Sequence, residues 1–273
     1  MEPEQNAMNE PALRRVRLRV GYHGAAYSGF QINPAYITIE GVLTDVISKI
    51  VRHPVHLSTA GRTDAGVHAI GQVITCDIPE AMNLHRLVRS VNGLCAPHIA
   101  VSDAQWVSDD FDARYSATWR QYKYTVVNTW EPQPMLVDRS WHVREPLSIP
   151  LMNLACDALY GEQDFAAFCR KPLEGEGEPV RTSHRYLFSA KWSAVDGGLV
   201  VFDIRANAFC HQMVRGIVGF LVDVGRGRRP PSDTRAVLLA RDRAHGSAVA
   251  PAQGLTFWDV GYDRVRVHPR PHS

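Results

Sequence analysis

The sequence predicts an α+β chain built from two like modules, and three observations agree on it. Strand-type and helix-type hydrophobic patterns alternate along the chain. The order strand–helix–strand–strand occurs once in each half. At 273 residues the chain is long enough for two modest modules, given roughly 150 residues per domain. Hydrophobic residues at 45% and charged residues at 21% are ordinary for a globular protein and argue against global disorder.

Residues 1–12 are polar and read as a disordered lead-in. Residues 14–20 alternate charged and apolar side chains, which predicts a half-exposed strand. A loop rich in glycine and aromatics follows at 22–31. Thr38 is a candidate N-cap, and Ile39, Val42, Leu43, Val46, Ile47 and Ile50 recur at helical spacing, predicting a helix over 39–52. Strands are expected at 55–59 and 72–78, and a helix at 83–94.

In the second half, residues 120–127 alternate in the manner of a strand. A helix is expected over 148–159, capped by Ser148 with Pro150 in its first turn. Strands at 184–193 and 199–206 bracket Asp196, Gly197 and Gly198, a hairpin signal. Helices at 208–224 and 232–241 and a strand at 255–260 complete the pattern. Residues 173–179 read as a flexible loop and 264–273 as a mobile tail. The two modules are expected at 13–108 and 109–263.

The net charge of +2 is too small to announce a polyanionic partner. Only four of the thirty cations are lysine; arginine forks suit phosphates and stack on bases, although GC-rich codon usage accounts for the bias equally well. The cysteines, Cys76, Cys95, Cys156, Cys169 and Cys210, are odd in number and widely spaced, which predicts buried thiols rather than a disulfide framework or a zinc site. The histidines lack metal-ligand spacing, and no P-loop or dinucleotide fingerprint occurs; neither a metal nor a cofactor is expected. The most apolar run, 217–222, is far shorter than a membrane span. The N-terminus lacks a signal-peptide pattern. A cytoplasmic protein without a membrane partner is expected.

The segment most able to carry chemistry is Gly61-Arg62-Thr63-Asp64-Ala65-Gly66-Val67-His68. Its glycines permit a tight turn and a close ligand. Arg62 can hold Asp64 ionised, and a fixed carboxylate on a loop is a candidate nucleophile or base. The alternative is an ordinary aspartate-stabilised turn with a surface ion pair. Along the 208–224 helix, Phe209, Met213, Ile217, Phe220 and Val224 make one apolar stripe, while Asn207, His211 and Arg215 fall opposite, facing either a cleft or solvent. Tyr122 and Tyr124 point to one side of their strand, as core aromatics or, beside Arg120, as a surface on which an unstacked base rests.

The loop is similar to the signature of the tRNA pseudouridine synthase A family, and collinear segments agree from about residue 15 to 262. Tyr22-x-Gly24-x-x-Tyr27-x-Gly29-x-Gln31 resembles the family's first motif, and Arg120-x-Tyr122-x-Tyr124 its strand motif. Gly161-x-x-Asp164-Phe165-x-x-Phe168 resembles its turn, residues 206–219 its arginine helix, and Gly254-Leu255 its C-terminal element. His23, Phe30 and Ile39-Glu40 depart from the family's aspartate, tryptophan and Val-Gln, in a loop that contacts RNA in the family.

The resemblance implies an α/β fold of two similar modules, their antiparallel mixed sheets joined into one extended sheet, helices packed on it and the active site in the cleft between. It implies isomerisation of uridine to pseudouridine at positions 38, 39 and 40 of the tRNA anticodon arm, by a homodimer. Asp64 matches the catalytic aspartate, Arg62 the arginine that helps flip the target nucleotide, and Arg215 the arginine that pairs with the aspartate. Tyr122 matches the tyrosine that stacks on uracil and Leu255 an apolar residue lining the base pocket. Arg226, Arg228, Arg229, Arg241 and Arg243 are candidate phosphate contacts. Competing readings are a related synthase with another target position, a tRNA-binding protein without catalysis, and a glycoside hydrolase, which needs a second carboxylate about 5–10 Å away.

Overall fold

The computed structural model describes residues 11–170 and 182–262. The expected lead-in, apart from its last two residues, the 173–179 loop and the 264–273 tail lie outside them. In chain order the elements are β1 (Leu13–Tyr22), α1 (Ile39–Val51), β2 (Ser58–Thr59), β3 (His68–Pro79), α2 (Leu84–Cys95) and β4 (Ile99–Trp106). Then follow β5 (Trp119–Val127), β6 (Trp141–His142), α3 (Ile149–Cys156), β7 (Gly161–Asp164), β8 (His184–Val195), β9 (Leu199–Ala206), α4 (Met213–Gly225), α5 (Asp233–Ala240) and β10 (Leu255–Gly261).

The strands form one ten-stranded sheet in the order β4-β1-β3-β10-β5-β9-β8-β7, with β2 on β3 and β6 on β5. The two halves correspond. In the first, β1 lies between β3 and β4, antiparallel to both. In the second, β5 lies between β9 and β10, again antiparallel to both. The seam is parallel: β10 pairs with β3 through Thr256 with His68 and Phe257 with Ala69. The last strand among the described residues thus joins the strand that follows the Asp64 loop, giving one extended mixed sheet. α1 packs on α2 and α2 on β4, while α3 packs on α4 and β8.

Local chemistry explains most boundaries. Thr38 Oγ1 accepts from Gly41 N at 3.3 Å and starts α1 where expected. Ser148 stands at the N-cap of α3, but its side chain makes no capping bond. The expected 55–59 strand shrinks to Ser58–Thr59. β4, β6 and β7 are strands that the hydrophobic pattern does not announce; β4 and β7 are sheet edges, and β4 exposes polar side chains. α4 starts at Met213 rather than 208, because Gln212 takes a left-handed conformation at φ 61°. Nor is α4 two-faced: only Arg215 and Asp223 escape burial along it. Gly216 lets it approach the Phe168 carbonyl, which an added Cβ would meet at 2.6 Å. The expectation of unpaired thiols is corrected at one pair. Cys169 and Cys210, Cα atoms 5.9 Å apart, are joined as a disulfide that ties the segment after β7 to the start of α4. Wide spacing in sequence does not prevent the fold from juxtaposing them. Among the described residues no helix is long and apolar enough to cross a membrane.

Candidate active site

The loop carrying Asp64 connects β2 to β3. Gly66, at φ +80°, makes the turn toward β3. At Gly61 an added Cβ would come within 2.9 Å of the Phe257 ring, so the loop lies close on β10. Fully buried Gln72 grips Gly61 twice: its Oε1 accepts from Gly61 N at 3.3 Å and its Nε2 donates to Gly61 O at 2.5 Å.

The aromatic and glycine-rich segment after β1 cradles the same loop. Tyr22 Oη and Thr63 Oγ1 share a hydrogen bond of 2.7 Å. Phe30 N donates to Thr63 O at 3.0 Å. Gly29, at φ +94°, lies against the backbone of Thr63 to Ala65. Gly24 N donates to His68 Nδ1 at 3.1 Å, and His68 Nε2 faces the Gln253 carbonyl at 3.1 Å. One ring nitrogen accepts and the other donates, as in neutral imidazole. Burial, then the neighbouring His23, depresses the His68 pKa.

Arg215 reaches the loop from α4. Its Nη1 donates to Asp64 Oδ2 at 2.8 Å and its Nε to the Ala250 carbonyl at 2.8 Å. The Arg215 carbonyl accepts in turn from Ala250 N at 3.1 Å. On an otherwise buried helix a cation needs partners, and these two fix the guanidinium. His211 Nε2 lies 3.3 Å from the other oxygen, Asp64 Oδ1. Burial alone would raise the Asp64 carboxyl; hydrogen bonds and charge from His211 and Arg215 outweigh it and hold the pKa below its ordinary value. Asp64 is therefore an ionised carboxylate held on both oxygens.

Tyr122, only 8% exposed, lies beneath the loop. Its ring meets Phe209 and Phe257 edge-on, with centroids 5.1 and 5.0 Å away. Burial raises its pKa well above the usual tyrosine value. Leu255, also buried, opens β10 opposite Tyr124. Arg62 is exposed on the loop, two residues before Asp64. The fold thus gathers Asp64, Arg215 and Tyr122, with Arg62 and Leu255 on adjoining segments.

Three expectations change. Tyr124 offers no stacking surface: it is fully buried and its hydroxyl donates to Pro251 O at 2.8 Å. Arg120 is buried as well. Its guanidinium donates to the carbonyls of Ala60, Ala117, Asn207 and Arg114 at 2.6–3.2 Å, bracing the strand before the Asp64 loop against the segment before α4. Asn207 and His211 precede α4, so helical spacing does not relate them to Arg215. Asn207 turns away, its Oδ1 accepting from Tyr186 N and Ala208 N. His211 still reaches Asp64, through the left-handed turn at Gln212. The 226–243 arginines have internal partners: Arg226 and Arg228 bind Glu145, Arg229 lies over Phe220, Arg241 pairs with Asp164 at 3.2 Å, and Arg243 donates to Ser247 O. Gln72 is the supporting residue that residue type alone left unmarked; its polar side chain at the start of the 72–78 strand was the available signal.

A family model described as tRNA pseudouridine synthase matches residues 155–263. The tRNA pseudouridine synthase A of Frankia casuarinae is 40% identical over 254 residues, covering 92% of this chain and 90% of its own. That of Syntrophotalea carbinolica is 38% identical over 248 residues, covering 90% and 96%. That of Gluconobacter oxydans is 36% identical over 271 residues, covering 96% and 94%. A solved Cbf5-Nop10-Gar1 complex overlaps 76% of this chain and 54% of that one at 12% identity and a TM-score of 0.32, too low a likeness to support any inference.

Proposed function

The chain belongs to the tRNA pseudouridine synthase A family and is an isomerase that makes pseudouridine in tRNA; on that premise we propose that it acts on uridines 38, 39 and 40 of the anticodon stem-loop, with Asp64 starting the reaction. The observation that carries this reading is the ionised carboxylate of Asp64, fixed by Arg215 and His211 beside Tyr122.

A base within a stem must leave its stack before its glycosidic bond is accessible. In this reading Arg62, exposed on the loop, fills the space the flipped nucleotide leaves. The uracil lies on Tyr122, with Leu255 lining the pocket. Asp64 either adds to C1′, to be displaced when C5 bonds there, or takes the hydrogen on C2′ and returns it at that step; both routes need it ionised. The bond from N1 to C1′ breaks, the uracil turns, and C5 bonds to C1′. C5 loses its hydrogen and N1 gains one, so the product is an isomer. Arg215 keeps the carboxylate charged. The proposal extends to two modules, 13–108 and 109–263, and to a cytoplasmic homodimer holding tRNA across both subunits, with exposed arginines such as Arg228 and Arg241 contributing phosphate contacts. A catalytically silent tRNA binder has no use for an aspartate held this way.

Tritium release from tRNA carrying 5-tritiated uridine tests the chemistry. The native enzyme releases tritium; Asp64→Asn, with unchanged folding, releases none. Appreciable release by that variant overturns the role of Asp64. Mapping pseudouridine in tRNA from cells lacking the protein tests the target, and losses away from positions 38–40 overturn it.

A further inference from the structure

We infer that His211 is a positioning residue for Asp64: it steadies Oδ1 while Arg215 holds Oδ2, and together they orient the carboxylate toward the substrate. The inference rests on Asp64 being the carboxylate that starts the reaction.

The two partners of Asp64 differ in what they permit. Arg215 is rigid. Its side chain is 15% exposed, and it is tied to Ala250 through both its side chain and its backbone. Moving it would strip a near-buried cation of two hydrogen bonds at once. The His211 side chain is 50% exposed and sits at the longer distance of 3.3 Å. Its backbone, by contrast, is anchored. The His211 carbonyl accepts from Arg170 N at 2.9 Å, Cys210 beside it is bonded to Cys169, and Met213 N donates to the Cys210 carbonyl. An imidazole on a fixed backbone is held beside Oδ1 from the solvent side. A half-exposed imidazole beside Oδ1 therefore helps to orient the carboxylate while leaving it open to an approaching ribose.

The titratable and charged groups on the elements that meet here are Asp64 and Arg62 from the loop before β3, Arg215 from α4, Tyr122 from β5, and Arg170 beside the disulfide. Arg215 and His211 contact the carboxylate of Asp64 directly. Loss of His211 therefore removes one of the groups that hold the Asp64 pKa down and lets it rise.

Single-turnover rates on unmodified tRNA, measured with saturating purified enzyme from pH 5 to 9, test the inference in the native protein, His211→Ala, His211→Gln and Asp64→Asn. His211→Ala is expected to lower the rate constant about 10-fold or more, the size of a hydrogen bond to a charged group. Its tRNA dissociation constant stays within about 2-fold of native. Its acid limb moves to higher pH, as loss of a hydrogen bond that favours the ionised carboxylate requires. His211→Gln keeps an N–H donor and recovers most of the rate at pH 7. An unchanged rate and acid limb in His211→Ala, or a loss confined to tRNA affinity, overturns the inference. Turnover by Asp64→Asn instead overturns the reading of Asp64 beneath it. Because His211 is half exposed, its replacement leaves no buried cavity, and thermal melting verifies folding.

Discussion

Arg215 and Asp64, separated by 151 residues in sequence, meet through a hydrogen bond of 2.8 Å. The contact joins α4 in the second half of the chain to the loop before β3 in the first.

Replacing Arg215 should therefore cost activity by two routes. Arg215→Met removes the counter-charge, raises the Asp64 pKa and lowers the rate on the order of 100-fold, in line with an unpaired, partly buried charge. Arg215→Lys restores charge but not the two-point hold on Asp64 and Ala250, and is expected to recover only a small part of that loss. Initial rates across pH check both outcomes.

Two glycines in helices give opposite expectations for one substitution. At Gly219 in α4 an added Cβ would collide with the Ala248 carbonyl oxygen. Gly219→Ala should destabilise by about 1–3 kcal/mol despite its better helix propensity. Gly93 in α2 has nothing within 4 Å of an added Cβ, so Gly93→Ala should stabilise by about 0.5–1 kcal/mol. Denaturant midpoints decide; equal signs contradict the packing of α4.

His68 should make the fold acid-sensitive. Burial and His23 depress its pKa, so the folded state takes up a proton less readily than the unfolded chain. Its penalty is absent above the unfolded value of about 6.5 and grows as pH falls below it. Protonation also costs Nδ1 its role as acceptor for Gly24 N. Melting temperature should fall between pH 7.5 and 5.5, and His68→Gln should flatten that part of the curve.

Arg120→Met should act on stability before chemistry. It strands the carbonyls of Ala60, Ala117, Asn207 and Arg114, at a cost of about 3–5 kcal/mol. For a chain of this size that lowers the melting temperature on the order of 10 °C. A native melting curve with lost activity would instead make Arg120 a direct substrate contact.

Much of this fold was legible locally. Thr38 caps α1, and Asp196-Gly197-Gly198 turns β8 into β9, because capping and turn chemistry are short-range. β4 was not legible. As an edge strand exposing Ser102, Asp103 and Gln105, it lacks the apolar signal that marks a strand buried on a face. The true start of α4 was hidden because a left-handed Gln212 leaves no mark in hydrophobic periodicity. His211 and Arg215 both reach Asp64, although no helical face relates them.

The sequence by itself determined the residue types of the site, the main helices and central strands, and the family resemblance, since each is a property of neighbouring residues. Only the tertiary structure decided which groups touch. It turned Tyr124 and Arg120 into buried supports and left Tyr122 beside Asp64. It bonded Cys169 to Cys210 and placed His211 and Arg215 on opposite oxygens of one carboxylate. Those outcomes depend on how β3 and β10 join the halves and how closely α4 packs, and long-range packing is set by the whole chain at once.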